Sequence, residues 1–167
     1  AGSAEILPVH GTGRASMEAA LFNLLSPGDE VVACCNGKFG AMWAGFADRY
    51  GLRVHPVAED WDRSVDPAEV DRTLGDHPAA RAVLIVHSDT STGVLNPVAE
   101  VAQVARSHGA LVLVDGISSI GGVPFHFDAW DLDVAITASQ KCLMSSPGLS
   151  FVAMSERAWG ACGSGGA

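Results

Sequence analysis

Hydrophobic positions along the chain fall into two rhythms that take turns. Short apolar runs rich in β-branched residues occupy 6–9, 30–34, 52–57, 82–87, 110–115, 134–137 and 149–154. Their length and their Gly, Pro, Asn and Asp borders predict strands. Between several of them the apolar spacing changes to helical. Met17, Ala20, Leu21, Leu24 and Leu25 share one face over 16–25, and Phe39, Met42, Trp43, Phe46 and Tyr50 share one over 39–50. A third helix is predicted over 98–107, where Val98, Val101, Ala102, Val104 and Ala105 follow Asn96-Pro97, a good helix start.

Strands alternating with helices predict an α/β fold. Strands as uniformly apolar as Ala110-Leu-Val-Leu-Val114 belong in a sheet covered on both faces. The expected architecture is therefore three-layer αβα around a mostly parallel sheet. One core is expected over 1–159, with a frayed Gly/Ser-rich tail over 160–167.

Composition narrows the picture further. The 167 residues are 48% hydrophobic and 17% charged, enough apolar surface for one folded domain. Ten Lys+Arg against 19 Asp+Glu give a net charge of −9, which argues against nucleic-acid or anionic-membrane partners. No apolar stretch reaches the roughly 20 residues of a membrane helix. No signal peptide opens the chain, and a reducing cytoplasm is the expected location. Cys34, Cys35, Cys142 and Cys162 form no CxxC pair and read as small buried thiols, so no metal site is expected.

Ligands of open α/β sheets bind beyond the carboxyl ends of the strands, so the residues there carry the candidate chemistry. After 6–9 come Gly11, Thr12, Gly13 and Arg14, then a helix: bare amides, a hydroxyl and a helix N-terminus suited to an anion. After 30–34 comes Asn36-Gly-Lys-Phe-Gly40, in which the Phe39 ring could stack on a flat ligand. His87-Ser-Asp-Thr-Ser-Thr-Gly93 presents a row of hydroxyls. Asp115 closes a wholly apolar strand, which costs desolvation unless a cation or hydrogen-bond donor meets it. Lys141 is one of two lysines and the lone charge between Val134 and Ser155. An amine in an apolar pocket at a strand end would have its pKa lowered, as a Schiff-base nucleophile needs. Phosphate cradle, ring platform, buried acid and amine together are what pyridoxal phosphate asks for.

These segments resemble the class V aminotransferases of fold type I, and most of all their serine/alanine–glyoxylate branch. The likeness rests on 86–94, 113–121 and 139–148, with the loops at Gly11-Thr-Gly13 and 36–40, and runs in the family's order from about Gly11 to Met154. It implies a transaminase moving an amino group between a small amino acid and a 2-oxo acid such as glyoxylate. It further implies that Lys141 holds the pyridoxal 5'-phosphate cofactor and shuttles a proton, and that Asp115 pairs with the pyridinium nitrogen. Thr12, Gly13, Arg14 and Gln140 would take the phosphate. Phe39 and Ile117 would cover the two ring faces, and Thr90 would offer its hydroxyl. A homodimer with shared active sites is implied as well.

Other readings stay open. Members of the family are longer, with an N-terminal segment and a C-terminal small domain whose arginine grips the substrate carboxylate; Arg157 is not expected to replace it. The resemblance therefore covers a large-domain core, and a non-catalytic or cofactor-binding remnant is the first alternative. A cysteine desulfurase-like lyase is the second, but those relatives carry His where Gln140 and Phe39 stand. A nicotinamide-dinucleotide module fits poorly, since Ser16 stands where the third fingerprint glycine belongs and Asp29 comes too early.

Overall fold

A computed structural model describes residues 4–163. The strands are β1 (Glu5–His10), β2 (Glu30–Cys35), β3 (Arg53–Ala58), β4 (Ala80–Val86), β5 (Leu111–Asp115), β6 (Val134–Ala138) and β7 (Leu149–Met154). The helices are α1 (Gly13–Leu24), α2 (Lys38–Arg49), α3 (Pro67–Asp76), α4 (Val98–Ser107) and α5 (Glu156–Ala161). The strands form one sheet in the order β1-β7-β6-β5-β4-β2-β3. Pairings β3-β2-β4-β5-β6 are all parallel, whereas β7 runs antiparallel to both β6 and β1. The expected mostly parallel αβα sheet is thus present, with one reversed strand.

Strand alternation divides the core into two. On β4, Ala82 and Leu84 face a cluster with Met17, Leu21, Leu24, Trp43, Ala47 and Ile136, beneath α1 and α2. Val83 and Ile85 face the other cluster, with Val70 and Leu74 of α3 and Val98, Val101 and Ala105 of α4. Successive side chains of a strand point to opposite faces, so a helix layer on each side buries the whole strand. Each fully buried Val, Leu or Ile stabilises the fold by roughly 1.5–3 kcal/mol.

α3 was not anticipated. Asp66 accepts from the Ala68 amide at 2.9 Å and Pro67 opens the helix, but the buried stripe is only Val70 and Leu74. α5 extends to Ala161, past the expected core boundary at 159, while 164–167 lie outside the described residues. Its Arg157 grips the wholly buried Asp133: Nε donates to Oδ1 at 2.8 Å, Nη2 pairs with Oδ2, and Nη2 also donates to the Ala110 carbonyl at 2.8 Å. Arg157 therefore ties α5 to the start of β5 and β6. No helix among the described residues is long and apolar enough to cross a membrane.

Candidate active site

Because β1, β2, β4, β5 and β6 all point the same way, the loops that follow them meet at one rim of the sheet. They line a cavity of about 260 Å³ whose walls include Thr12, Gly13, Arg14, Phe39, Thr90, Asp115, Ile117, Gln140 and Lys141. All nine residues singled out in the sequence are therefore brought together.

The anion side is the N-terminus of α1. Thr12 is the N-cap but its side chain caps nothing, so the hydroxyl and the Gly13 and Arg14 amides remain available to a ligand, reinforced by the helix dipole, while the Ala15 amide donates to the Thr12 carbonyl at 2.9 Å. Gly13 allows a close approach: a Cβ there would lie 2.4 Å from Ile117 Cδ1 and would turn that side-chain end aside. One residue type thus lets the anion loop and the Ile117 wall approach each other. Arg14 is exposed beside them.

The acid side is the end of β5. Asp115 is 3% exposed, and its Oδ1 accepts from the Ile117 amide at 2.8 Å. Burial pushes its pKa up to about 6; the Ile117 amide and the Lys141 charge act the other way, and the charge of Asp89 adds to the rise. A cation placed against this carboxylate would relieve the desolvation. Lys141 follows β6, the strand paired with β5 through Asp115 and Ile136. It differs from expectation: the residue is exposed, not buried in an apolar pocket. It sits in the open connection between β6 and β7, where strand pairing does not draw a side chain inward.

The platform side is the start of α2. Phe39 is half-buried and lines the cavity. α2 enters tightly, since a Cβ on Gly40 would lie 2.3 Å from the Cys34 carbonyl oxygen. Thr90 bonds its hydroxyl to that of Ser118, linking the loops after β4 and β5 across the rim. Behind this rim, buried His87 bonds Ser119 Oγ through Nδ1 at 3.0 Å and meets Phe125 and Trp130 edge-on; burial lowers its pKa.

Sequence reasoning missed Met17, Met42, Val86 and Ser118 among the lining residues. The two methionines share a helical stripe with core residues, so periodicity alone assigns them to the interior. It also missed Asp89, hidden in a run read only for its hydroxyls.

Among the described residues, one cluster brings metal-capable atoms within 4.8 Å of one another, Glu30, His55 and His77. The His rings stack at 3.5 Å and 13°, which aims their lone pairs alongside each other, and Glu30 is already engaged by Arg53 at 2.7 Å.

Comparison with known proteins bears on this geometry. The family model for aminotransferase class-V matches residues 1–166. The chain is 41% identical over 158 residues to the soluble hydrogenase small subunit of a Synechococcus strain, covering 93% of this chain and 41% of that protein. It is 38% identical over 161 residues to the serine–glyoxylate aminotransferase of Methylorubrum extorquens, covering 94% of this chain and 40% of that one. The crystal structure of an alanine–glyoxylate aminotransferase from Nostoc sp. superposes with a TM-score of 0.89 at 39% identity, again over 93% of this chain and 41% of the other. The chain thus spans about two-fifths of the length of these relatives.

Proposed function

Because the chain belongs to the class V aminotransferase family, we propose that its cavity binds pyridoxal 5'-phosphate and serves a transaminase. The substrates proposed are a small amino acid of the serine or alanine type and a 2-oxo acid such as glyoxylate. The observation that carries this reading is the meeting of an uncapped helix N-terminus, a half-buried aromatic ring, a buried carboxylate and an amine in one cavity. The donor set fits the group. No cysteine or histidine lines the cavity, so its amides, hydroxyls, acid and amine suit an organic phosphate far better than the redox metal that one relative's hydrogenase name suggests.

Bound there, the cofactor supplies an electron-poor ring that stabilises negative charge at the α-carbon of an amino acid. The chain's own residues would do the rest. Thr12 Oγ1, the Gly13 and Arg14 amides, the Arg14 guanidinium and Gln140 would hold the phosphate. Phe39 and Ile117 would enclose the ring faces and exclude water. Asp115 would accept the ring N–H and keep that nitrogen protonated. Lys141 Nζ would hold the cofactor's carbonyl carbon until the substrate amine displaces it and, so freed, would take the proton from the substrate α-carbon and return it on the other side of the transfer. Thr90, released from Ser118, would donate to the ring substituent.

We further propose a cytoplasmic homodimer with shared sites. Its support is the apolar surface beside the cavity: Met144, three residues after Lys141, is 91% exposed, with Leu143 exposed next to it in the chain. The deciding experiment is borohydride reduction of the cofactor-loaded protein followed by peptide mapping. Label on the Lys141 peptide, and loss of the yellow absorbance in Lys141→Ala, is the expected result. A wild-type chain that stays colourless with excess cofactor would refute the reading. Loading without amine transfer from serine or alanine would favour the cofactor-binding remnant instead.

A further inference from the structure

Asp89 is wholly buried behind the cavity wall, and none of the roles above uses it. Its Oδ2 accepts from the amides of Phe39 at 2.8 Å and Gly40 at 3.3 Å, fifty and forty-nine positions earlier in the chain. Its Oδ1 accepts from the amide and hydroxyl of Ser91 at 2.9 and 2.6 Å. The neighbouring Ser91 hydroxyl in turn accepts from the Lys38 amide at 3.0 Å. α2 has Gly37 as its N-cap, with no side chain of its own to satisfy these donors. An acid from the loop after β4 therefore does the capping from outside, where the helix dipole favours negative charge.

We propose that Asp89 is a positioning residue, which anchors the first turn of α2 so that the Phe39 ring is held as a platform for the cofactor. Four donors on two oxygens leave little freedom: an amide side chain has one acceptor oxygen and would turn N–H groups toward N–H groups. Space is equally restricted, since a Cβ on Gly37 would lie 2.4 Å from both Cγ and Oδ2 of Asp89. Gly37 is extended, at φ −178°, so alanine suits its backbone and the nearest atoms in its way all belong to the Asp89 side chain. Gly37→Ala thus displaces Asp89 without deleting it.

The inference rests on the cofactor reading of the cavity, and two measurements keep the two apart. In the cofactor-free wild type, the Phe39 and Gly40 amides should resist hydrogen exchange, unlike open helix N-termini. In Asp89→Asn and Gly37→Ala alike, pyridoxal phosphate should bind roughly tenfold or more weaker, as for a misplaced binding group. The visible circular dichroism of the bound cofactor should also change, while Ser91→Ala, which keeps both α2 amide bonds to Asp89, should show a smaller effect. Fast exchange at Phe39 and Gly40 overturns the inference even if neither variant folds. So does wild-type affinity and dichroism in a folded variant. A wild type that takes up no cofactor but protects both amides refutes the cofactor reading and leaves the anchor itself standing.

Discussion

Asp115 is where stability and binding pull against each other. In the cofactor-free fold its pKa is raised to about 6 from an ordinary 3.8, chiefly by burial. The folded chain therefore holds this proton more tightly than the unfolded chain between those values. Its contribution is most favourable below pH 3.8 and is lost as pH rises through 6, by at most about 3 kcal/mol. Asp115→Asn keeps an acceptor for the Ile117 amide without the charge. It should raise the cofactor-free melting temperature at pH 7–8, flatten the wild-type difference between pH 4 and 6, and weaken pyridoxal phosphate binding. Thermal melts across pH with and without cofactor check all three. Gly13→Ala should behave differently: turning the Ile117 side chain aside costs about 0.5–1.5 kcal/mol. It should also weaken pyridoxal phosphate more than phosphate-free pyridoxal, a comparison that isolates the anion loop.

At the scale of elements, Asp133 and Arg157 hold the amino ends of β5 and β6 against α5, far from the cavity. Asp133 also accepts from the Val112 amide at 2.8 Å, so the acid is fixed whether or not its cation is present. Arg157→Ala would strand a buried charge and should cost about 3 kcal/mol in urea unfolding. Cofactor absorbance should stay unchanged, which separates this pair from the site. Much of this level was legible in advance. All seven strands and α1, α2 and α4 follow from apolar rhythm, and on β2, β4, β5 and β6 burial on both sheet faces leaves a near-continuous signature. α3 escaped because its two inward residues are too few to set a period, although Asp66-Pro67 announced its start. The reversal of β7 could not be read at all: direction in a sheet is settled by partners such as Ala138 and Ser150, not by anything within 149–154. In the site, the strand-end rule together with the family resemblance named nine residues that line one cavity, yet neither the open setting of Lys141 nor the capping by Asp89 is a local property. Each depends on what lies across the cavity.

The whole molecule leaves large apolar side chains in water, among them Ile6, Phe22, Trp61 and Met144. Surface of that kind favours association. Met144→Lys, beside the proposed shared site, should shift sedimentation toward monomer and weaken cofactor retention together; retention lost without dissociation would argue against a shared site. The seam joining the two ends of the chain has a further consequence. His10 pairs with Leu149, Gly11 donates to the Gly148 carbonyl at 3.0 Å, and Ser16 bonds Ser150 at 2.6 Å across 134 positions. During synthesis, the loop at Gly11–Arg14 is made long before the seventh strand that joins β1 to the sheet and so sets the loop against Ile117. Vitamin uptake by nascent chains should therefore begin only once Leu149–Met154 has emerged from the ribosome, which makes it a clock for completion of the sheet.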